Sequence, residues 1–116
     1  MTTTLFRPVN AVELRLIQDS NWKAFPPRLP EQPIFYPVMN IEYARQITVE
    51  WNVPAYGNGH VVAFDVDSSY LERFEVQQVG GPIHVELWVP AEDLDEFNAH
   101  IQGEIRLVES YPETSI

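Results

Sequence analysis

Cysteine is missing from this chain of 116 residues, so no disulfide staples it and no thiolate can hold a metal. Basic residues are scarce: seven stand against 17 acidic ones, giving a formal net charge of −10. That balance leaves no electrostatic footprint for nucleic acid, and an anionic membrane would repel it. Glycine is also rare, with five in all, and none falls in a phosphate-cradling pattern. Gly57-x-Gly59 lacks a third glycine and precedes a strand, so it reads as a hairpin turn. There is no Gly-x-Ser-x-Gly elbow, Walker loop or His-Glu-x-x-His helix. Asp65-x-Asp67 opens like a calcium loop, but Tyr70 and Val76 stand where the loop needs glycine and glutamate. His60, His84 and His100 show no ligand spacing, so no metal site is expected. No apolar run approaches a membrane span, and Met1-Thr2-Thr3-Thr4 has no leader character. These absences predict a soluble cytoplasmic protein.

What is present is a core. Hydrophobic residues make up 45% of the chain and aromatics 12%, enough to fold one domain over residues 1–116 unaided. Thr4 to Val9 reads as a first strand. Asn10 caps a helix, with Glu13 completing a capping box and Ala11, Leu14 and Ile17 on its buried stripe, joined by Val12 or Leu16. Five of the ten prolines then fall between positions 26 and 37. They stiffen an extended connection, Phe25 to Pro33, that runs into the strand Ile34 to Val38. Pro37 within that strand predicts an edge position or a bulge. Pro27-x-x-Pro30 also fits the minimal proline-ligand pattern, although a packed structural loop explains it as well.

Asn40 caps a helix from Ile41 to Asn52, with Ala44, Ile47 and Trp51 inward and Pro54 as its stop. Strands follow over His60 to Val66, Arg73 to Val79 and Ile83 to Val89, with one helical turn from Asp67 to Leu71. A helix from Ala91 to about Gln102, with Leu94, Phe97 and Ile101 inward, ends at Gly103. Glu104 to Glu109 is the last strand, and residues 110–116 form a frayed tail. The order β-α-β-α-β-β-β-α-β, with about six mostly antiparallel strands and three helices, predicts an α+β fold.

Three constellations carry chemistry. In Ile83 to Val89, alternation sets Ile83, Val85, Leu87 and Val89 on one face and His84, Glu86 and Trp88 on the other. An imidazole, a carboxylate and an indole in a row suit the floor of a cleft, or a solvated face with a local ion pair. Arg7 shares its strand face with Leu5 and Val9; it either pairs with an acid at the core edge or grips an anion. Ile34-Phe35-Tyr36 either joins the core or stacks on a planar ring.

An arginine on the first strand, an aromatic strand leading to a helix and a late strand bearing Glu86 together resemble the ADP-ribosyltransferase fold. Leu5-Phe6-Arg7-Pro8-Val9, Phe25-Pro26-Pro27-Arg28-Leu29-Pro30, Pro33-Ile34-Phe35-Tyr36-Pro37-Val38 and Glu86-Leu87-Trp88-Val89-Pro90-Ala91-Glu92 are similar to small bacterial proteins labelled "ADP-ribosylation/crystallin". The resemblance runs from about Leu5 to Glu109. It implies NAD as cofactor, with Arg7 on its ribose or phosphate and Tyr36 (or Phe35 or Tyr43) on the nicotinamide side. It implies Glu86 as stabiliser of an oxocarbenium-like transition state and His84 as the residue that positions the acceptor. His84 replaces the usual Glu or Gln of that family, and no Ser-Thr-Ser segment is present. A dianionic cofactor on so acidic a chain calls for local cations, for which Arg7 and Arg28 are the candidates. The charge supports a different expectation as well: a non-enzymatic acidic module, immunity-like or regulatory, that binds a basic protein partner.

Overall fold

A computed structural model describes residues 1–28 and 33–111. The strand β3 (Gly59–Asp67) lies at its centre. Val61, Val62, Ala63, Phe64 and Val66 are all buried, because both faces of this strand are covered. On one side β1 (Thr2–Val9) pairs with it antiparallel in unbroken register, from Thr2↔Asp67 to Val9↔His60. On the other side lies β7 (Ile101–Tyr111), also antiparallel. The β3–β7 register slips between Val61 and Val62 and again between Ala63 and Asp65. Gly103, at φ 76°, sits in the second slip, where extra β7 residues force a left-handed turn that a side chain would resist.

Beyond β1 the sheet continues through a single residue. Val38 exchanges both backbone hydrogen bonds with Phe6, at 2.9 and 2.8 Å. Its other flank faces Glu86: Met39 donates to the Val85 carbonyl, and Leu87 donates to that of Pro37. Val85–Leu87 (β5) in turn pairs with Val76–Gln78 (β4). Pro37 therefore lies at a strand crossing, not at an edge. Its missing N–H marks where the chain leaves β2 (Ile34–Phe35), which pairs with β6 (Val89–Pro90), and enters the main ladder. The expected strand Ile83 to Val89 is thereby divided. Only Leu87 and Val89 of its apolar series are buried, while Ile83 is exposed and Val85 half-buried.

The antiparallel sheet is covered on both faces, so the architecture is α+β. One face carries α1 (Ala11–Asp19), the single turn α4 (Ser68–Leu71) and α5 (Leu94–Ala99). Phe25, Phe35, Phe64 and Phe97 meet there edge-on or tilted, with ring centroids 4.7–6.1 Å apart. Asn10 caps α1 by accepting the Glu13 N–H at 2.8 Å, and Leu14 and Ile17 are buried. Ala11, Val12 and Leu16, expected near the core, face solvent. The opposite face carries α2 (Ile41–Ile47), which packs Ala44 against Val38 and Val61.

Several boundaries differ from the sequence reading. Pro54 does not stop the second helix. After Ile47 the chain forms a π-turn, Thr48–Asn52, and then α3 (Val53–Tyr56), with Pro54 in the first turn, where no helical N–H is required. The wide turn rests on Gly59, where a Cβ would come within 2.7 Å of Thr48 Cγ2. It also rotates Trp51 outward, to 71% exposure instead of the core. Gly57, at φ 81°, closes α3, so Gly57-x-Gly59 joins a helix to a strand and is no hairpin turn. The late helix begins as a 3₁₀ turn (Ala91–Asp93) and ends at Ala99, with Ile101 already in β7. Tyr111 is still strand, and residues 112–116 of the expected tail lie outside the described residues. So do Leu29 and Pro30 of the proline pattern. No helix among the described residues is long and apolar enough to cross a membrane.

Candidate functional site

Arg7 leaves β1 on the face that bears Leu5 and Val9, and its side chain is 10% exposed. A guanidinium so enclosed requires a counter-charge. Glu13 of α1 supplies it by a two-pronged contact, Nε to Oε2 at 2.6 Å and Nη2 to Oε1 at 3.0 Å. The capping box is thus half built: Asn10 caps the helix, but the Glu13 carboxylate turns to Arg7. Beneath the guanidinium lies the Phe35 ring, 4.6 Å from the Arg7 Cζ to its centroid. Arg28 approaches the same ring at 6.0 Å. Burial, and then the neighbouring Arg7 charge, lower the Arg28 pKa from its ordinary value, while Glu13 and Tyr36 act the other way.

These residues border two hollows. The first, about 410 Å³, is lined by Arg7, Arg28, Glu13, Tyr36, Asn10 and Tyr56, among others. The second, about 420 Å³, is lined by Arg7, Tyr36, Ile47, Glu86 and Trp88, among others. Arg7, Pro8 and Tyr36 belong to both, so the two adjoin. Each is of a size that holds a small ligand (about 300–1,000 Å³). Among the described residues, the charged ones that line the first are Arg7, Arg28 and Glu13.

Glu86 reaches the second hollow from the other side of the sheet. The bridges Phe6↔Val38 and Val38↔Glu86 align Phe6, Val38 and Glu86, so their side chains share the α2 face, while Arg7 points to the α1 face. Glu86 is 9% exposed and accepts the Trp88 indole N–H at 3.3 Å. Tyr43 stands close enough that burial, and after it the Glu86 charge, raise its phenol pKa. Tyr36 and Trp88, both more than 40% exposed, meet edge-on at 6.3 Å on the same hollow.

Of the sequence candidates, Arg7, Arg28 and Tyr36 meet at the first hollow, and Arg7, Tyr36 and Glu86 at the second. Phe35 is fully buried beneath Arg7. His84 stands apart. Its Nδ1 accepts the Gly81 N–H at 2.8 Å, which leaves Nε2–H to donate to Gln46 Oε1 at 2.8 Å. Those bonds hold it in the turn before β5, against Tyr43 at 4.8 Å, and it lines a different hollow from Glu86. His84 and Glu86 both lie toward α2, as their two-residue spacing predicts, each near Tyr43, but they line different hollows. Glu13 is the site residue the sequence pattern concealed, since its position in the capping box had already explained it. The signal that pointed to it was Arg7 itself, an arginine between Leu5 and Val9 on an inward face. No cluster of three or more histidine or acidic residues arranged for a metal occurs among the described residues. Comparison with known proteins finds no matching family model, curated protein or solved structure.

Proposed function

We propose that the joined hollows bind an anionic, ring-bearing ligand of the nucleotide class, with NAD as the candidate cofactor, and that the domain is ADP-ribosyltransferase-like. The observation that carries this reading is the meeting of three distant segments, bearing Arg7, Tyr36 and Glu86, at one hollow. Arg28 joins Arg7 and Tyr36 at its neighbour. Arg7 and Arg28, the two arginines at the first hollow, hold the phosphates. Arg7 comes pre-oriented by Glu13 and Phe35, so little side-chain entropy is lost on binding. The half-exposed Tyr36 and Trp88 offer faces for a planar ring.

Bound NAD would supply an ADP-ribosyl group whose bond to nicotinamide is activated for cleavage. Glu86, whose carboxylate accepts the Trp88 indole N–H, would offer negative charge to the positive charge that develops on the ribose. Only an interaction that strengthens in the transition state raises the rate, so Glu86 belongs to turnover more than to affinity. His84 is left out of this scheme, its Nδ1 bonded within the turn to Gly81 and its Nε2 to Gln46 of α2.

Thermal unfolding with NAD, ADP-ribose and AMP tests the reading. Ligand at a hundredfold excess over Kd adds about 2.7 kcal/mol. For a domain of this size that is a rise in Tm of about 10 °C. Arg28→Ala abolishes the rise, while Glu86→Gln keeps it and loses nicotinamide release. No stabilisation by any of the three at millimolar concentration refutes the ligand class. Stabilisation without turnover in the unaltered protein refutes the transferase assignment alone.

A further inference from the structure

A third hollow, of about 430 Å³, shares Ile47 with the second. Tyr43, Trp51 and His84 wall it, together with Gln46, Ile47 and Val79. Trp51 is 71% exposed and Val79 50%, so a large part of its apolar wall faces water. A scattered apolar side chain on a surface needs no explanation, but an indole turned outward by a π-turn beside a second aromatic does.

The next depression along α2 shares Gln46 with it and carries Glu42, Arg45 and Glu50. Arg45 is engaged by Glu109 through both ends of its guanidinium. Glu42 and Glu50 form no ion pair among the described residues. Aromatic walls bordered by unpaired carboxylates are complementary to a cation with an extended stem. The faces of Trp51 and Tyr43 attract the charge, and the carboxylates lie where neighbouring cations would fall. His84 does not oppose it, because its Nδ1 accepts a backbone N–H and its proton sits on Nε2. A second copy of the chain is disfavoured by charge, since it brings a further net −10.

We propose that this face binds a basic peptide segment of a partner protein, with one arginine or lysine side chain between Tyr43 and Trp51 and flanking basic residues against Glu42 and Glu50. The proposal is independent of what the neighbouring hollows bind.

Fluorescence anisotropy with labelled octa-arginine as probe, at low salt, tests it. Trp51→Ala weakens binding about fivefold or more, the scale of a lost cation–π contact. Glu42→Gln with Glu50→Gln weakens it by a similar factor. A control pair on the late helix, Glu92→Gln with Asp95→Asn, changes net charge equally and shifts Kd by less than about twofold. Far-UV circular dichroism checks that each variant folds, which the exposure of these side chains favours. Absence of binding to octa-arginine at about 1 mM overturns the proposal. So does equal weakening by the control pair, which reduces the effect to diffuse charge, or unchanged affinity in Trp51→Ala. A protein that elutes as a dimer, and as a monomer once Trp51 is removed, also overturns it in favour of self-association.

Discussion

The Arg7–Glu13 pair joins the fold to the candidate site, and a double-mutant cycle measures it. Both side chains are enclosed, at 10% and 16% exposure, and they meet through two charge-assisted hydrogen bonds. At an effective dielectric near 20, charges about 4 Å apart attract by about 4 kcal/mol. The cost of removing both ions from water takes back part of that. A coupling of about 2–3 kcal/mol should remain. Glu13→Gln leaves Arg7 uncompensated near Arg28 and costs about 2–3 kcal/mol; Arg7→Met keeps an unbranched apolar side chain there, loses the guanidinium over Phe35 and costs about 3. The double variant should cost about 3 kcal/mol, well below the sum of the two. Urea unfolding reads this directly: with a slope of roughly 1.5 kcal/mol/M, each single variant shifts the midpoint by up to about 2 M. The control is Arg73 with Glu96, about half exposed at 55% and 49%, where solvent screening should leave under about 0.5 kcal/mol. A coupling for Arg7–Glu13 as small as the control's, or one removed by 1 M salt, would refute the claim that enclosure makes this pair strong.

Other outcomes follow from particular contacts. Gly59→Ala drives a methyl against Thr48 Cγ2 and Asn52 Cβ and should cost about 1–3 kcal/mol in urea unfolding; a neutral result would mean that the π-turn does not depend on that close approach. Phe35→Leu removes a ring that touches Phe25, Phe97 and Arg7, and should lower Tm by about 8–12 °C, while a loss under about 2 °C would discount the aromatic cluster. Hydrogen bonds from Arg106 and then Thr4 hold the Asp65 pKa below its usual value, and one from Arg45 does the same for Glu109. Such depressed carboxylates stabilise the fold above about pH 4, and their contribution disappears as pH falls through the lower folded values. Unfolding midpoints between about pH 5 and 2 should therefore fall, and Asp65→Asn with Glu109→Gln should flatten that fall. His84→Ala should loosen the turn from Val79 to His84, seen as faster amide exchange there, and leave any NAD-induced rise in Tm unchanged.

Local patterns made much of the fold readable. Asn10 before an apolar periodicity marks the start of α1, and the alternation through Leu5, Arg7 and Val9 marks β1 and its inward face. The apolar run within His60 to Val66 marks a strand, and the structure shows both its faces covered. Each depends on a side chain's relation to its own few neighbours, which a single segment contains. The π-turn at Thr48–Asn52 could not be read this way, because its cause is the space left by Gly59, a residue on another element. Nor could the division of Ile83 to Val89, since Leu87 and Val89 bond to different partners.

For the site, residue type and pattern singled out Arg7 and Glu86, because an inward arginine or a lone glutamate in an apolar strand has to be accounted for by some partner, while Tyr36 and Arg28 came from the resemblance. Tertiary structure decided who the partners are. It turned Glu13 from helix cap to counter-ion, brought Tyr36 and Trp88 to one wall, and placed Arg7 and Glu86 on opposite faces of the sheet at the border of a shared hollow. It also assigned His84 and Glu86, which both lie toward α2, to different hollows. Chemical need is a property of one residue and is legible wherever that residue occurs. Which group answers it depends on register and crossing, set by hydrogen bonds between segments as distant as β1 and β5.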